Sequence, residues 1–282
     1  MSGLPPSLLK GGGDHRGHVY FIGAGPGAPD LITIRGREIL ERADLVVYAD
    51  SLVDPRMCDY ARPGAEVVGS ASLALEAICE RMIAAAHNGG IVARLQSGDP
   101  SIYGAIHEQI RRLDEAGVAW TIVPGVSSAF AAAAALGVEL TVPRVAQTVI
   151  FTRISGKASP VPSGEDLRSL AAHHTSLVLF LSIAHMTRVV KELLAAGYPS
   201  DTPAAALYRV SWPDEASLVG TLADIRAKVR AAKWTRQTLI LVGPALDASA
   251  ALGERSRLYS ADYTHLFRKG IPRARSARAA GS

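Results

Sequence analysis

Short apolar runs alternate along the chain with longer segments whose apolar residues recur at helical spacing. His18–Ile22, Leu45–Tyr48, Glu66–Val68, Ile91–Leu95 and Ala119–Val123 have the length and apolar content of strands. Between them, Thr33–Ala43, Ser72–His87 and Ile102–Ala116 gather their apolar positions on one helical face. Thr33 is placed to cap the first of these helices. Gly89 and Gly117 are placed to end the other two. Such β-α alternation predicts a mostly parallel sheet covered by helices. The Ala-rich Ala129–Leu136 reads as a short helix, and the turn-rich Gly137–Arg144 as a linker. A second α/β half follows, with strands at Gln147–Arg153, Leu177–Leu181, Ala204–Tyr208, Leu218–Val219 and Thr238–Val242. Its better helices are Thr187–Ala196 and Thr221–Ala232, and Trp212–Glu215 reads as a hairpin turn, which predicts a mixed sheet. The expected fold class is α/β, with a parallel-rich N-terminal sheet and a mixed C-terminal sheet. The expected boundaries are a disordered segment over 1–17, an N-terminal α/β domain over 18–142, a C-terminal α/β domain over 143–250 and a basic tail over 251–282.

With 282 residues, 48% of them apolar, the chain can bury two cores. The net charge of +4 is unevenly placed. Glu254–Ser282 carries seven Lys/Arg against two acids, which leaves the remainder near −1. A neutral body argues against nucleic acid as the partner. The two cysteines, Cys58 and Cys79, lie in no CxxC and beside no histidine, so they read as inert thiols in a reducing compartment. No run of 18 apolar residues predicts a membrane span, and residues 1–17 lack the apolar core of a signal peptide. The expected location is cytoplasmic.

Three strands end in small or kinked residues, at Gly23–Gly27, Ser97–Gly104 and Pro124–Ser128. Strand ends of a parallel sheet gather along one edge, so these loops can line one ligand site. Gly23, Gly25 and Ala28, with Asp50 ending the next strand, imitate a dinucleotide fingerprint. Pro26 and Pro29 spoil it, because they remove two amides that a pyrophosphate would need. A plain tight turn or a different adenosine-containing ligand remain as readings. Asp99 can bind a ribose, act as a base, or cap a following helix with Pro100 at its first position. The eight histidines are scattered, and His173 and His174 are expected to point apart on a helix. No metal-ligand spacing, no GxSxG elbow and no Walker A lysine is present, so metal, hydrolase and NTPase readings lack support.

Taken together, Val19–Gly27, Ser97–Gly104 and Pro124–Ser128 resemble the three motifs of the tetrapyrrole (uroporphyrinogen-III and precorrin) methyltransferase family. The resemblance runs from about His18 to Leu246. It implies two α/β domains with an active-site cleft between them, S-adenosylmethionine as methyl donor, a tetrapyrrole substrate and a homodimer. Within the family, Ser51–Val53, Gly98–Gly104, Gln147–Arg153, Tyr208–Glu215, Arg257–Tyr259 and His265–Arg268 most resemble the branch that methylates C-11 of precorrin-4 in cobalamin synthesis. Asp50 and Ala28 depart from the glycine and aspartate expected at those places. Carried over position by position, the cofactor site comprises Pro26, Ser97, Gly98, Asp99, Ile102, Ser127, Ser128, Leu181, Ala205 and Thr238. Precorrins carry many carboxylates, so Arg153 and Arg209 are candidates to hold them by charge-assisted hydrogen bonds. Arginines that merely cap strand ends are the alternative. Tyr103 and Trp212 are candidates to pack on the ring, and Asp50 to accept a proton. Rival readings are a cobalt-bearing precorrin-4 or another ring as substrate, a nucleotide-binding oxidoreductase, and a binding module whose basic tail contacts RNA.

Overall fold

The computed structural model describes residues 17–156, 160–247, 260–264 and 266–271. His15, Arg257–Tyr259, His265 and the segments 1–16 and 272–282 lie outside these residues. The chain divides into two compact units. One comprises Met1–Leu136, Ala206–Leu218 and Lys233–Leu239; the other comprises Gly137–Ala205, Val219–Ala232 and Ile240–Ser282.

The first sheet contains β1 (His18–Gly23), β2 (Leu45–Tyr48), β3 (Glu66–Gly69), β4 (Ile91–Gln96) and β5 (Ala119–Val123). Its order is β3-β2-β4-β1-β5, and every pair is parallel. Alternation along β1 feeds two cores. Val19 and Phe21 pack with Ile78, Cys79 and Met82 of α2 (Leu75–His87) and Ile106, Ile110 and Leu113 of α3 (Ile106–Glu115). Tyr20 and Ile22 pack on the other face with Leu40 of α1 (Ile34–Leu40) and with Met57. Each fully buried side chain of this size contributes about 1.5–3 kcal/mol. Thr33 caps α1 as the sequence predicts, its hydroxyl accepting the Gly36 amide at 3.1 Å. Gly89 and Gly117 follow α2 and α3 with φ of +79° and +66°. The Ala-rich α4 spans Ser128–Leu136.

The second sheet contains β6 (Val149–Arg153), β7 (Ser176–Phe180), β8 (Pro203–Tyr208), β9 (Ala216–Thr221) and β10 (Thr238–Val242). Its order is β6-β7-β10-β8-β9. β6 and β7 run parallel and β7 and β10 antiparallel, so the sheet is mixed. Its helices are α5 (Leu167–Ala171), α6 (Met186–Ala195) and α7 (Ile225–Ala232).

Three expectations need correction. α2 begins at Leu75 and α3 at Ile106, not at Ser72 and Ile102. α7 begins at Ile225, because Thr221–Asp224 is a turn closed by the Asp224 carboxylate on the Thr221 amide. His173 and His174 lie beyond the end of α5, and His174 takes a left-handed φ of +52°. The short α5 escaped notice because five residues carry too little periodicity to register. Both cysteines are free, and burial pushes both thiols up, Cys58 to about 11, which keeps them unionised. No described helix is long and apolar enough to cross a membrane.

Candidate functional site

β4, β1 and β5 are adjacent, so their loops emerge side by side from one sheet edge. The loops are joined backbone to backbone. Gly25 N–H donates to Gly98 O at 3.2 Å, and Gly98 N–H donates to Gly25 O at 2.8 Å. A methyl group on Gly23 would stand 2.5 Å from Gly125 Cα, and one on Gly125 would stand 2.2 Å from Gly98 O. Only glycine permits this approach. Asp99 binds the third loop to the second, its Oδ2 accepting Gly125 N–H at 2.9 Å and its Oδ1 accepting Ser101 N–H at 2.8 Å. Burial alone would raise this carboxyl, but the donors on Gly125 and Ser101 outweigh it and hold its pKa below the ordinary value.

Asp99 therefore caps no helix, contrary to that reading of the sequence. Tyr103 and Ala105 take left-handed φ of +56° and +49°, which delays the helix to Ile106. Gly104 between them passes so close to Pro100 that a Cβ would lie 2.3 Å from Pro100 O. This tight loop leaves Ile102 half-buried and Tyr103 exposed. Left-handed non-glycine residues cost of order 1–3 kcal/mol each, and they concentrate where function holds them. In the third loop, buried Ser127 accepts the Ala129 amide at 3.3 Å, and Ser128 opens α4. Pro26 is buried, and Ser97 is half-buried.

A segment far along the chain locks the first loop. Trp212 Nε1–H donates to Pro26 O at 3.1 Å, and Ala28 N–H donates to Ser211 Oγ at 2.9 Å. The indole lies so close that a Cβ on Gly27 would meet Trp212 Cδ1 at 2.2 Å. Arg209 stacks 4.0 Å from the centre of the Trp212 ring and pairs with Asp214 at 2.9 Å. Arg209 N–H donates to Gln237 O, and Gln237 Nε2 donates to Ser51 O at 2.8 Å. A cavity of about 370 Å³ beside this latch is lined mostly by apolar residues, among them Leu31, Val126, Phe130 and Val210, with Ser211 and the carboxylate of Glu215 also in its wall.

The remaining candidates are spread more widely. Asp50 is exposed after β2, its Oδ1 accepting Ala71 N–H at 2.7 Å. Arg153 ends β6 and donates to Pro160 O at 3.3 Å. Leu181 follows β7 with a φ of +51° and is 68% exposed, an unusual setting for a large apolar side chain. Its neighbour Ser182 is buried and ties Phe180 O to Ile154 N–H through its hydroxyl. Ala205 is buried in β8, and Thr238 is buried at the start of β10 with its hydroxyl donating to Arg236 O. Thus Pro26, Ser97, Gly98, Asp99, Ser127, Ser128, Arg209 and Trp212 share one compact unit, while Arg153, Leu181 and Ala205 belong to the other.

Sequence reasoning missed Ser211 and Gln237, whose partners lie 183 and 186 positions away, beyond any local signal. It also missed Arg94 and Gln96, although two long polar residues in the run Ile91-Val92-Ala93-Arg94-Leu95-Gln96 were a visible anomaly. Among the described residues, no group of three or more His, Cys, Asp or Glu could hold a metal ion.

Residues 18–226 match the tetrapyrrole (corrin/porphyrin) methylases. A cobalt-precorrin-4 C(11)-methyltransferase of Methanocaldococcus jannaschii is 45% identical over 256 residues, 91% of this chain and 98% of its own. A precorrin-4 C(11)-methyltransferase of Pseudomonas aeruginosa is 47% identical over 253 residues, 89% of this chain and 99% of its own. The X-ray structure of a cobalt precorrin-4 methyltransferase superimposes with a TM-score of 0.81 at 44% identity, covering 86% of this chain and 100% of that one. A uroporphyrin-III C-methyltransferase from Thermus thermophilus, solved with S-adenosylhomocysteine, superimposes with a TM-score of 0.68 at 29% identity, covering 82% of this chain and 93% of that one. With glycine loops interlocked at one sheet edge and likeness along nearly its whole length, the chain belongs to the tetrapyrrole (corrin/porphyrin) methylase family.

Proposed function

We propose that this chain is an S-adenosylmethionine-dependent C-methyltransferase that methylates C-11 of precorrin-4 to give precorrin-5 and S-adenosylhomocysteine. The observation that carries the reading is the close backbone approach of the three loops, which only Gly23 and Gly125 permit, in a chain 47% identical to an enzyme of that name. The donor fits the residues present. Gly98 has a φ of +64°, and a Cβ there would touch Ser128 N at 3.6 Å and Ser127 Cα at 3.7 Å, so the backbones of the second and third loops face each other with no side chain between them. When bound, S-adenosylmethionine supplies a methyl group on a sulfonium sulfur.

Pro26, Ser97, Gly98, Asp99, Ile102, Ser127 and Ser128 are the residues we assign to holding it, with Leu181, Ala205 and Thr238 from the second half of the chain. Leu181 supports its assignment by standing exposed on a strained backbone, ready to be covered by an apolar ring. The protein's task is orientation and exclusion of water, since the donor brings the reactive group. Orientation can contribute effective molarities on the order of 10⁵–10⁸ M. Arg153 and Arg209 are assigned to the substrate's carboxylates, and the partly exposed Tyr103 and Trp212 to its ring. Asp50 is assigned as acceptor of the proton that the macrocycle loses elsewhere once C-11 has attacked the methyl group. A homodimer belongs to the same reading.

The test is incubation of the purified protein with methyl-labelled S-adenosylmethionine and a panel of precorrins. The expected product is precorrin-4 with one added methyl, located at C-11 by carbon NMR. No labelled product from any tetrapyrrole, or label on another carbon, overturns the proposal. The 45% identity to a cobalt-precorrin-4 enzyme favours a second reading, cobalt-precorrin-4 as substrate, and faster turnover of that substrate would select it. Calorimetric titration with S-adenosylhomocysteine and with NAD separates both from an oxidoreductase.

A further inference from the structure

β4 is a central strand whose other residues are apolar, yet Arg94 and Gln96 are only 5% and 6% exposed. The two lie on one face by the period of a strand. Arg94 is held from three sides. Its Nε donates to Gln109 Oε1 at 3.1 Å, and its Nη1 donates to Ser70 Oγ at 3.1 Å and to Val47 O at 3.4 Å. These partners are themselves fixed, because Gln109 Nε2 donates to Ala105 O and Ser70 Oγ donates to Tyr48 O. The guanidinium is thus oriented before any ligand arrives. Among the described residues its Nη2 has no acceptor, and no carboxylate forms an ion pair with it. Burial lowers the pKa of Arg94 to about 10, which still leaves it charged at neutral pH. Asp50 is the carboxylate whose field it feels, and that group is engaged by the Ala71 amide.

Gln96 is more unusual. Its Nε2 is buried and has no hydrogen-bond partner among the described residues. A buried polar group without a partner is costly and calls for an explanation. Arg94 can be read as a strut between β4, α3 and the turn after β3. Gln96 cannot, since it ties nothing to anything. It stands at the end of β4, level with Gly23 of β1 and immediately before Ser97-Gly98-Asp99.

We infer that Arg94 and Gln96 form a receiving site for one carboxylate arm of the tetrapyrrole and so help to determine which ring is accepted. The inference rests on the function proposed above. Two kinds of donor, an amide N–H and a guanidinium N–H, lack acceptors and are contributed by residues two positions apart on one strand face. A carboxylate supplies both acceptor oxygens and the missing negative charge; a neutral carbonyl would supply only the first. The amino-acid part of the methyl donor carries a carboxylate as well, so the experiment must separate the two sources.

The variants are Gln96→Met, which keeps the volume and removes the polar atoms, and Gln96→Glu, which sets a negative charge against the arm. The probe is uroporphyrin III, a stable fluorescent octacarboxylate, titrated beside S-adenosylhomocysteine. The melting temperature of Gln96→Met should not fall, since no protein hydrogen bond is lost and a buried orphan disappears. Uroporphyrin binding should weaken about tenfold in Gln96→Met and further in Gln96→Glu, with S-adenosylhomocysteine affinity held within about twofold. Equal uroporphyrin affinity in wild type and both variants overturns the inference, as does a wild type that binds no uroporphyrin. A loss confined to S-adenosylhomocysteine overturns it too and gives the site to the methyl donor. Failure of labelled methyl transfer by the wild-type protein strikes the methyltransferase reading alone, so the two failures are separable.

Discussion

Replacing Gly125 by alanine probes the joined loops directly. The new methyl carbon would stand 2.2 Å from Gly98 O and 2.6 Å from Gly23 Cα. Both are backbone atoms at the ends of paired strands, so no side chain can swing aside. Overpacking of this kind costs about 1–3 kcal/mol. Moving the loop to relieve it also pulls Gly125 N–H away from Asp99 Oδ2, now at 2.9 Å. A hydrogen bond to a charged group contributes about 1.5–3 kcal/mol, so the combined loss is roughly 2.5–6 kcal/mol. At about 2–4 °C per kcal/mol for a chain of this size, the melting temperature should fall by roughly 5–24 °C. S-adenosylhomocysteine affinity should fall by about tenfold or more, because the cradle itself has moved. Gly98→Ala is the control. Its Cβ would meet nothing nearer than Ser128 N at 3.6 Å, and the substitution is opposed chiefly by a φ of +64°. That penalty is about 1–2 kcal/mol, so Gly98→Ala should melt well above Gly125→Ala. The assays are differential scanning fluorimetry and isothermal calorimetry. A Gly125→Ala protein that melts within about 2 °C of wild type, or above Gly98→Ala, would refute the reasoning.

Trp212→Ala removes both the hydrogen bond to Pro26 O and the ring packed on Gly27. Calorimetry should record weaker S-adenosylhomocysteine binding, by roughly tenfold, and unchanged affinity would mean that the latch does not set the loop. Asp99 has a folded-state pKa below its unfolded value, so its contribution to stability is fully present above about pH 4 and is lost as pH falls through the lower folded value. Asp99→Asn should therefore destabilise at neutral pH and show a shallower loss of melting temperature between about pH 4 and pH 2; parallel acid limbs in the two proteins would count against this. Arg153→Ala and Arg209→Ala should raise KM for precorrin-4 with little change in S-adenosylhomocysteine affinity, each by an amount corresponding to about 1.5–3 kcal/mol. A collapse of cofactor affinity at constant KM would move both arginines to the cofactor pocket, and no change in either would make them caps of strand ends.

What local patterning can encode, the sequence determined. The apolar runs at β1, β2, β4 and β10 are buried on both faces of a sheet, so their continuity and bounding residues locate them to within a residue or so. Thr33 caps α1 through a partner three residues away, and Gly117 ends α3 through turns of its own backbone, so both were legible without tertiary context. The order β4-β1-β5 follows from pairing across the sheet, and that order turns three separate glycine loops into one joined surface. Tertiary packing decided where α3 begins, because the close pass of Gly104 over Pro100 and the left-handed turns at Tyr103 and Ala105 override the helical spacing that starts at Ile102. It also decided that Ser211 and Trp212 hold a loop some 185 positions earlier, a contact that no window of sequence contains. The roles of Arg94 and Gln96 belong to the same class. Their polarity was visible in the sequence, but only burial in the middle of a sheet makes an unpartnered amide and an unpaired charge expensive enough to mean something.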